Sequence, residues 1–463
     1  MTPVARRRAT VLAIALVCSL LYLRGASLWL DEASLGLNLR ERGLGALWGS
    51  SLSYGQVAPR AWLSAIWLLS HGLAAEHPLV LRLVPCLAMI GGVAVWARIA
   101  RRTLAALPAE AFVCVLLASP AVLQYTAEFK QYSWDVLCVG VGLLCLDRGL
   151  AERWRAALFV LAVATSHLAW LPCAALWLAR LDRRPRDGAL LVGGVAVLFA
   201  TDVWPQLQHA SRMNDYWSAW MIPAWPPAET LRAFVSGQGA QLLGYSAGLG
   251  AVVPDGALDA VRGVIFVGMA AATVAGLRAT PPTHQVWLRA WLLTVAGTTA
   301  LALLGLLPLG RRVTLGLFPL MAFGPLLLLD AAAARWAALV RPVALLALAW
   351  LLACLAVVAP RPIREDVHPL LPALEALDWL VVDGCSRKQW AMLARPVPPD
   401  LEITIADRGT LPALGDDAGG WLVTHRSGGC LDEQDATRRR FEAQGRTLSV
   451  LYDARDATLW RVD

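Results

Sequence analysis

Charge is what this sequence has least of. Only 16% of its 463 residues are Asp, Glu, Lys or Arg, against 57% hydrophobic residues, and the mean hydropathy is +0.55. A soluble domain of this length needs a charged, solvated surface, so that composition excludes one and places the chain in the lipid bilayer. The nine cysteines form no CxxC pair of the metal-binding type, and no cluster of metal-ligand residues is apparent. Seven of them lie in or beside apolar runs, leaving Cys385 and Cys430 in a polar region, as a disulfide or as two free thiols. No small-x-small cleavage site follows the first apolar run, which reads as an uncleaved signal anchor rather than a removable signal peptide. An internal repeat is also missing, and inverted repeats are a common mark of transporters.

The charges that are present carry topology. The net charge of +7 comes from 41 Lys+Arg against 34 Asp+Glu, with the arginines gathered in short segments between apolar runs. That distribution speaks for membrane orientation and phosphate binding and gives no argument for nucleic acid. Arg6, Arg7 and Arg8 precede the first run, so the positive-inside rule puts the N-terminus in the cytoplasm and Asp31-Glu32 on the outer side.

With about 20 apolar residues per crossing, the runs 9–30, 78–97, 103–124, 133–146, 189–204, 258–277, 287–307, 313–329 and 341–359 predict nine full spans. Two partial elements accompany them. Residues 61–73 are too short to cross and read as an interfacial or re-entrant helix. Residues 156–179, flanked by arginines on both sides, read as a broken hairpin turning near Ser166-His167 and Pro172.

After Pro360 the composition changes. Short β-type runs at 379–382, 403–406, 421–424, 448–452 and 458–462 alternate with helical stretches at 368–377 and 432–444. The expectation is therefore an α-helical polytopic membrane domain over 1–360 and a small extracytoplasmic α/β domain over 361–463.

Two adjacent carboxylates at a membrane boundary cost free energy unless they are solvated or used. Solvation at a helix terminus is the plain reading of Asp31-Glu32; an extracytoplasmic general base is the functional one. Downstream come Tyr54-Gly55-Gln56-Val57-Ala58-Pro59-Arg60, the partial helix, and Leu81-Arg82-Leu83 at the start of a span.

In this order of motifs the chain resembles the GT-C superfamily of integral-membrane glycosyltransferases. The nearest branch is bacterial, related to protein O-mannosyltransferases, lipid A aminoarabinose transferases and rhizobial polysaccharide transferases. That family carries an acidic motif after the first span, a "(K/A)PP" segment and an "RLxS" motif; here Ala58-Pro59 lacks the second proline and the lysine, with Arg60 supplying charge. Ser119-Pro120 through Tyr125, Glu128, Lys130 and Tyr132 match the family's "sP…ys.eaR.Y" element, with Lys130 where the family has arginine. Leu307-Pro308-Leu309-Gly310-Arg311-Arg312 resembles its "yPfggR" element, and two arginines on the outer side run against the positive-inside rule.

The resemblance implies a cytoplasmic (inner) membrane enzyme that moves a hexosyl or pentosyl group from a polyprenyl-phosphate sugar to an acceptor hydroxyl at the outer face. It needs no cofactor or metal. Asp31 and Glu32 are the catalytic candidates, with Asp31 as base and Glu32 supporting. Arg311, Arg312, Lys130 and Arg60 are the donor-phosphate candidates, and Tyr54, Tyr125, Glu128, Tyr132, Trp217 and Trp220 frame the acceptor and lipid groove. His167 reads first as a buried structural histidine; His209, Asp202 and Asp215 are secondary acceptor contacts. The partners are membrane lipid, the lipid-linked donor and a glycan, lipid or protein acceptor. Two other readings stand beside this one: a transporter or lipid flippase, and a non-catalytic cell-envelope assembly protein.

Overall fold

The computed structural model describes residues 3–23, 28, 30–49, 51–53, 56–73, 77–147, 151–180, 184–207, 229–230, 232–235, 238, 255–307, 312–358, 377, 379–383, 402–406, 419–424, 431–454 and 457–462. The membrane part is helical. It runs α1 (Pro3–Leu23), α2 (Leu30–Glu41), α3 (Leu44–Gly49), α4 (Arg60–Gly72), α5 (Pro78–Thr103), α6 (Ala109–Leu117), α7 (Pro120–Thr126), α8 (Tyr132–Leu146), α9 (Glu152–Ala164) and α10 (Trp170–Ala179). Then follow α11 (Pro185–Leu198), a π-turn (Phe199–Val203), α12 (Trp204–Leu207), α13 (Asp255–Gly276), α14 (Pro282–Leu303), a 3₁₀ turn (Arg312–Leu317), α15 (Phe318–Arg335) and α16 (Val340–Val358). Among the described residues, three helices are long and apolar enough to cross a membrane, Pro78–Thr103, Pro282–Leu303 and Thr314–Arg335, and a bent pair can make a fourth. The other apolar helices are shorter.

Three departures from the sequence expectation matter for the site. The first run does not continue to residue 30: α1 ends at Leu23 and Leu30 opens a separate helix, so Asp31 and Glu32 occupy the first turn of α2. Acids there sit at the positive end of the helix dipole, a favourable place for negative charge. The run 103–124 is not one straight span but α6 and α7, bent by 73°. Pro120 explains the interruption, since it lacks an N–H and suits a helix start better than an interior, and Pro108 likewise sets the start of α6 at Ala109. Ser119 caps α7 by accepting the Val122 N–H at 3.4 Å. The third departure is length: α5 extends to Thr103, longer than the 78–97 run. His77 caps its start by accepting the Leu79 N–H at 3.2 Å, and Pro78 follows at the first helical position.

Helices are found where both partial elements are expected. Helix α4 stops at Gly72, and α9 and α10 form the broken hairpin, with the turn at 165–169. Backbone groups freed at such a break need partners within the protein. Ser166 supplies them: its hydroxyl accepts the N–H groups of Leu168 and Ala169 at 3.3 and 3.2 Å and donates to Asp135 of α8 at 2.5 Å.

Apolar burial gives little drive between helices already in lipid, so close packing and internal polar contacts hold the bundle. Gly92 lets α5 meet α8 backbone to backbone, because a Cβ there would lie 3.1 Å from the Leu137 amide nitrogen. Trp96, Phe112 and Phe323 pack their rings edge-on or tilted, with centroids 5.1 to 6.3 Å apart. Buried Asp330 of α15 accepts three successive amides of the α5–α6 loop, Ala105, Ala106 and Leu107, at 2.6 to 3.0 Å.

In the C-terminal part all five predicted strands are found: β1 (Trp379–Asp383), β2 (Glu402–Ala406), β3 (Gly419–Thr424), β4 (Leu448–Ala454) and β5 (Ala457–Val462), with α17 (Leu431–Ala443). Their order is β2-β1-β3-β5-β4, with β2, β1 and β3 parallel and β5 antiparallel to both β3 and β4. Trp421 and Phe441 form its buried core with Trp379, Val381 and Val462. The expected helix at 368–377 and both Cys385 and Cys430 lie outside the described residues, Leu377 apart.

Candidate functional site

The first turn of α2 presents its two carboxylates to different surroundings. Glu32 is wholly buried, 0% exposed, and receives the Arg82 guanidinium in a two-point contact: Nε to Oε1 at 2.9 Å and Nη2 to Oε2 at 2.5 Å. Its Oε1 also accepts the backbone N–H of Phe129. Fork-to-fork arginine–carboxylate pairs are the stronger and more directional kind. Asp31, one residue earlier, keeps 23% of its side chain exposed and faces Lys130, whose Nζ lies 3.7 Å from Oδ2.

Lys130 belongs to the segment between α7 and α8 that carries no regular helix beyond a cap. It is buried, and its ammonium donates to the Gln56 side-chain oxygen at 3.0 Å. Its neighbour Gln131 donates to the Val57 carbonyl at 3.2 Å, so residues 56–57 and 130–131 are fastened side by side. The 51–53 end of that loop is held to α2 in turn: Asn38 accepts the Ser53 N–H at 2.8 Å, and Arg42 donates to the Ser51 carbonyl at 2.8 Å and the Ser53 hydroxyl at 2.7 Å. Phe129 stacks on Trp62 of α4 with centroids 5.4 Å apart. Segments far apart in sequence thus bring a partly open acid and a cation together.

Other candidates sit differently. Arg60 opens α4 and is buried; its backbone N–H donates to Asp202 Oδ1 at 2.7 Å, and its Nε lies 3.8 Å from the same oxygen. Asp202 comes from the π-turn after α11, an insertion into helical geometry that turns its carboxylate toward the start of α4. Tyr125 and Tyr132 do not line an open groove: both are buried, packed edge to face with centroids 4.8 Å apart. The expected groove position is not where they lie: the short segment between α7 and α8 turns the two rings onto each other. Glu128 is buried too and accepts the Gln124 amide at 2.5 Å, a local contact within one turn. His167 is half-buried at the tip of the α9–α10 hairpin.

Tyr54, His209, Asp215, Trp217, Trp220 and Arg311 lie outside the described residues. Of Arg312 the backbone is described, as the start of the 3₁₀ turn. That turn packs against α8 near its first turn, where a Cβ on Gly316 would meet the Asp135 Cβ at 2.7 Å. The backbone at Arg312 therefore leads into the end of α8 that follows Lys130. Among the described residues no group of three or more His, Cys, Asp or Glu side chains is placed to hold a metal ion.

Sequence reasoning missed Arg82 as a site residue, along with the roles of Gln56 and Asp202. Arg82 carried a usable signal: with the N-terminus read as cytoplasmic, an arginine that opens the second predicted span is expected on the outer side, which is the argument already made for Arg311 and Arg312. Gln56 carried none, since its partner is 74 positions away.

No protein-family model matches the chain, and no curated protein matches it. Among solved structures it is similar to ArnT from Cupriavidus metallidurans in the apo state, at 12% identity over 99% of this chain and 98% of that one, with a TM-score of 0.42. The same protein bound to undecaprenyl phosphate gives 14% identity over 99% and 98%, with a TM-score of 0.40. Arabinofuranosyltransferase AftD from Mycobacteria gives 17% identity over 81% of this chain and 29% of that one, with a TM-score of 0.39.

Proposed function

We propose that this chain is a membrane glycosyltransferase that moves a sugar from a polyprenyl-phosphate donor to an acceptor hydroxyl at the outer face of the cytoplasmic membrane. The N-terminus lies inside and the C-terminal α/β domain outside. The observation that carries this reading is the division of the acid pair: Glu32 is sealed in the protein, while Asp31 is partly open and 3.7 Å from the Lys130 ammonium. A carboxylate kept accessible beside a cation suits a base that takes a proton from an acceptor hydroxyl while a nearby anion is held.

In the reaction the acceptor oxygen bonds to the anomeric carbon, the bond from that carbon to the phosphate oxygen breaks, and the hydroxyl proton passes to Asp31. The leaving group departs as polyprenyl phosphate with the electron pair of the broken bond. Base catalysis of this kind contributes typically about 10²- to 10⁴-fold. Charge grows on the departing phosphate, and a fixed cation there lowers the barrier without reorganisation. Lys130 supplies a point charge rather than the two-point contact of an arginine; Arg311 and Arg312, carried over from the motif order in the sequence, complete the phosphate set. The donor class rests on the motif order in the sequence.

The test is purified full-length protein in lipid nanodiscs with a panel of polyprenyl-phosphate sugars, read as release of free polyprenyl phosphate. The wild type releases it with at least one donor and an Asp31→Asn variant does not. Movement of intact lipid-linked sugar between leaflets without release is the outcome that replaces this reading with a flippase.

A further inference from the structure

The Glu32–Arg82 pair is buried at no exposure on either side, and Coulombic attraction repays such burial only in part. A pair of this cost that merely stabilised the bundle could be replaced by apolar side chains. Its connections are more particular. Glu32 directly follows Asp31, and the backbone N–H that Glu32 accepts belongs to Phe129, which directly precedes Lys130. One carboxylate thus ties the residue beside the acid to the residue beside the cation, and Arg82 of α5 holds that carboxylate by both oxygens.

We propose that Glu32 and Arg82 are positioning residues: their ion pair, through the Phe129 amide, sets the separation of Asp31 and Lys130 and touches no substrate itself. The proposal deepens the reading of Asp31 as base and rests on it for its catalytic consequence, though not for its geometry. Three elements meet at the clamp: the first turn of α2, the second turn of α5, and the segment between α7 and α8. That segment needs such an anchor. Lys130 ends a long stem whose freedom costs about 2 kcal/mol to fix; Gln56 holds its head at 3.0 Å, and Gln131 fastens the C-terminal side of the segment to Val57. Phe129 holds the segment laterally through Trp62, but a ring stack leaves the amide direction free. The Glu32 hydrogen bond removes that freedom.

The chain provides a direct readout. Lys130 and Lys388 are its two lysines, so Lys130 is the one side-chain amine of the membrane part. A water-soluble carbodiimide activates a carboxylate, and an amine in salt-bridge reach displaces it to form an amide while the reagent leaves as a urea. Applied to the full chain in nanodiscs, it joins Asp31 to Lys130, which peptide mass spectrometry identifies. Glu32→Gln and Arg82→Lys are each expected to slow this coupling on the order of 10-fold or more, and the double variant no further than the worse single one. Misplacement of about 1 Å costs on the order of 10²-fold in rate, so kcat is expected to fall 10- to 100-fold with the donor KM within about twofold. The acidic limb of the pH profile is expected to persist, because Asp31 is still the base.

Unchanged coupling in a folded Glu32→Gln protein overturns the proposal, and so does loss of the acidic limb, which would make Glu32 the base. Should Glu32→Gln not fold, Arg82→Lys keeps the buried charge balanced and gives the same reading alone. Coupling needs no turnover, so Glu32-dependent coupling in a protein that transfers no sugar refutes the glycosyltransferase reading and leaves the clamp standing.

Discussion

Replacing each of two adjacent carboxylates by its amide separates chemistry from architecture, and the structure supplies the magnitudes. Asp31→Asn alters a partly exposed pair at 3.7 Å, whose worth to stability is about 0–1 kcal/mol. The same change removes the base, about 10²- to 10⁴-fold in rate, or roughly 3–5 kcal/mol of barrier. Glu32→Gln instead breaks one partner of a sealed ion pair that also satisfies a backbone amide. Breaking such a pair costs about 3–5 kcal/mol because it leaves Arg82 charged and buried. Thermal unfolding of both variants in detergent, followed by tryptophan fluorescence, beside polyprenyl-phosphate release on the same samples, reads the two effects separately. Asp31→Asn is expected within a degree or two of wild type and inactive; Glu32→Gln is expected to unfold several degrees lower with residual activity. Equal loss of stability in the two variants, or transfer by Asp31→Asn at the wild-type rate, refutes the division of labour.

Further outcomes follow from other contacts. Lys130→Arg places a larger fork in a buried slot shaped by Gln56, and is expected to lower kcat about tenfold or more while preserving charge, checked by transfer kinetics. Asp330→Asn weakens the acceptor of three consecutive loop amides, and should destabilise by about 1–3 kcal/mol with the rate per folded molecule unchanged, measured by denaturation and active-fraction titration. Gly92→Leu forces α5 from the α8 backbone, and a drop in folded yield seen by gel filtration is expected, whereas Gly193→Leu, with nothing within 4 Å of its Cβ position, is expected to be tolerated. Asp202→Ala removes the acceptor of the Arg60 amide and is expected to cost about 1–3 kcal/mol, with faster proteolysis at the α4 end as the readout.

Sequence alone was enough for the type and approximate place of most elements, though not for the number or length of the spans. The helical bundle, the short helix at 61–73, the broken hairpin near Ser166 and all five strands after residue 378 are local consequences of apolar run length, proline and alternation. The candidacy of Asp31, Glu32 and Lys130 was also legible, because a charge at a membrane boundary is conspicuous against a background only 16% charged. What a charge does there was not legible. Asp31 and Glu32 are chemically alike and adjacent, yet one helical position turns one into the protein and leaves the other partly open. Tyr125 and Tyr132 read in sequence as framing a groove but are buried, because the turn between α7 and α8 packs the two rings on each other. The partners Arg82, Gln56 and Phe129 come from 50, 74 and 97 positions away. A run of residues encodes local geometry in its own order; the match between a carboxylate and a distant guanidinium or amide exists only once packing brings the backbones together. Tertiary structure therefore decided which acid is accessible and which cation faces it.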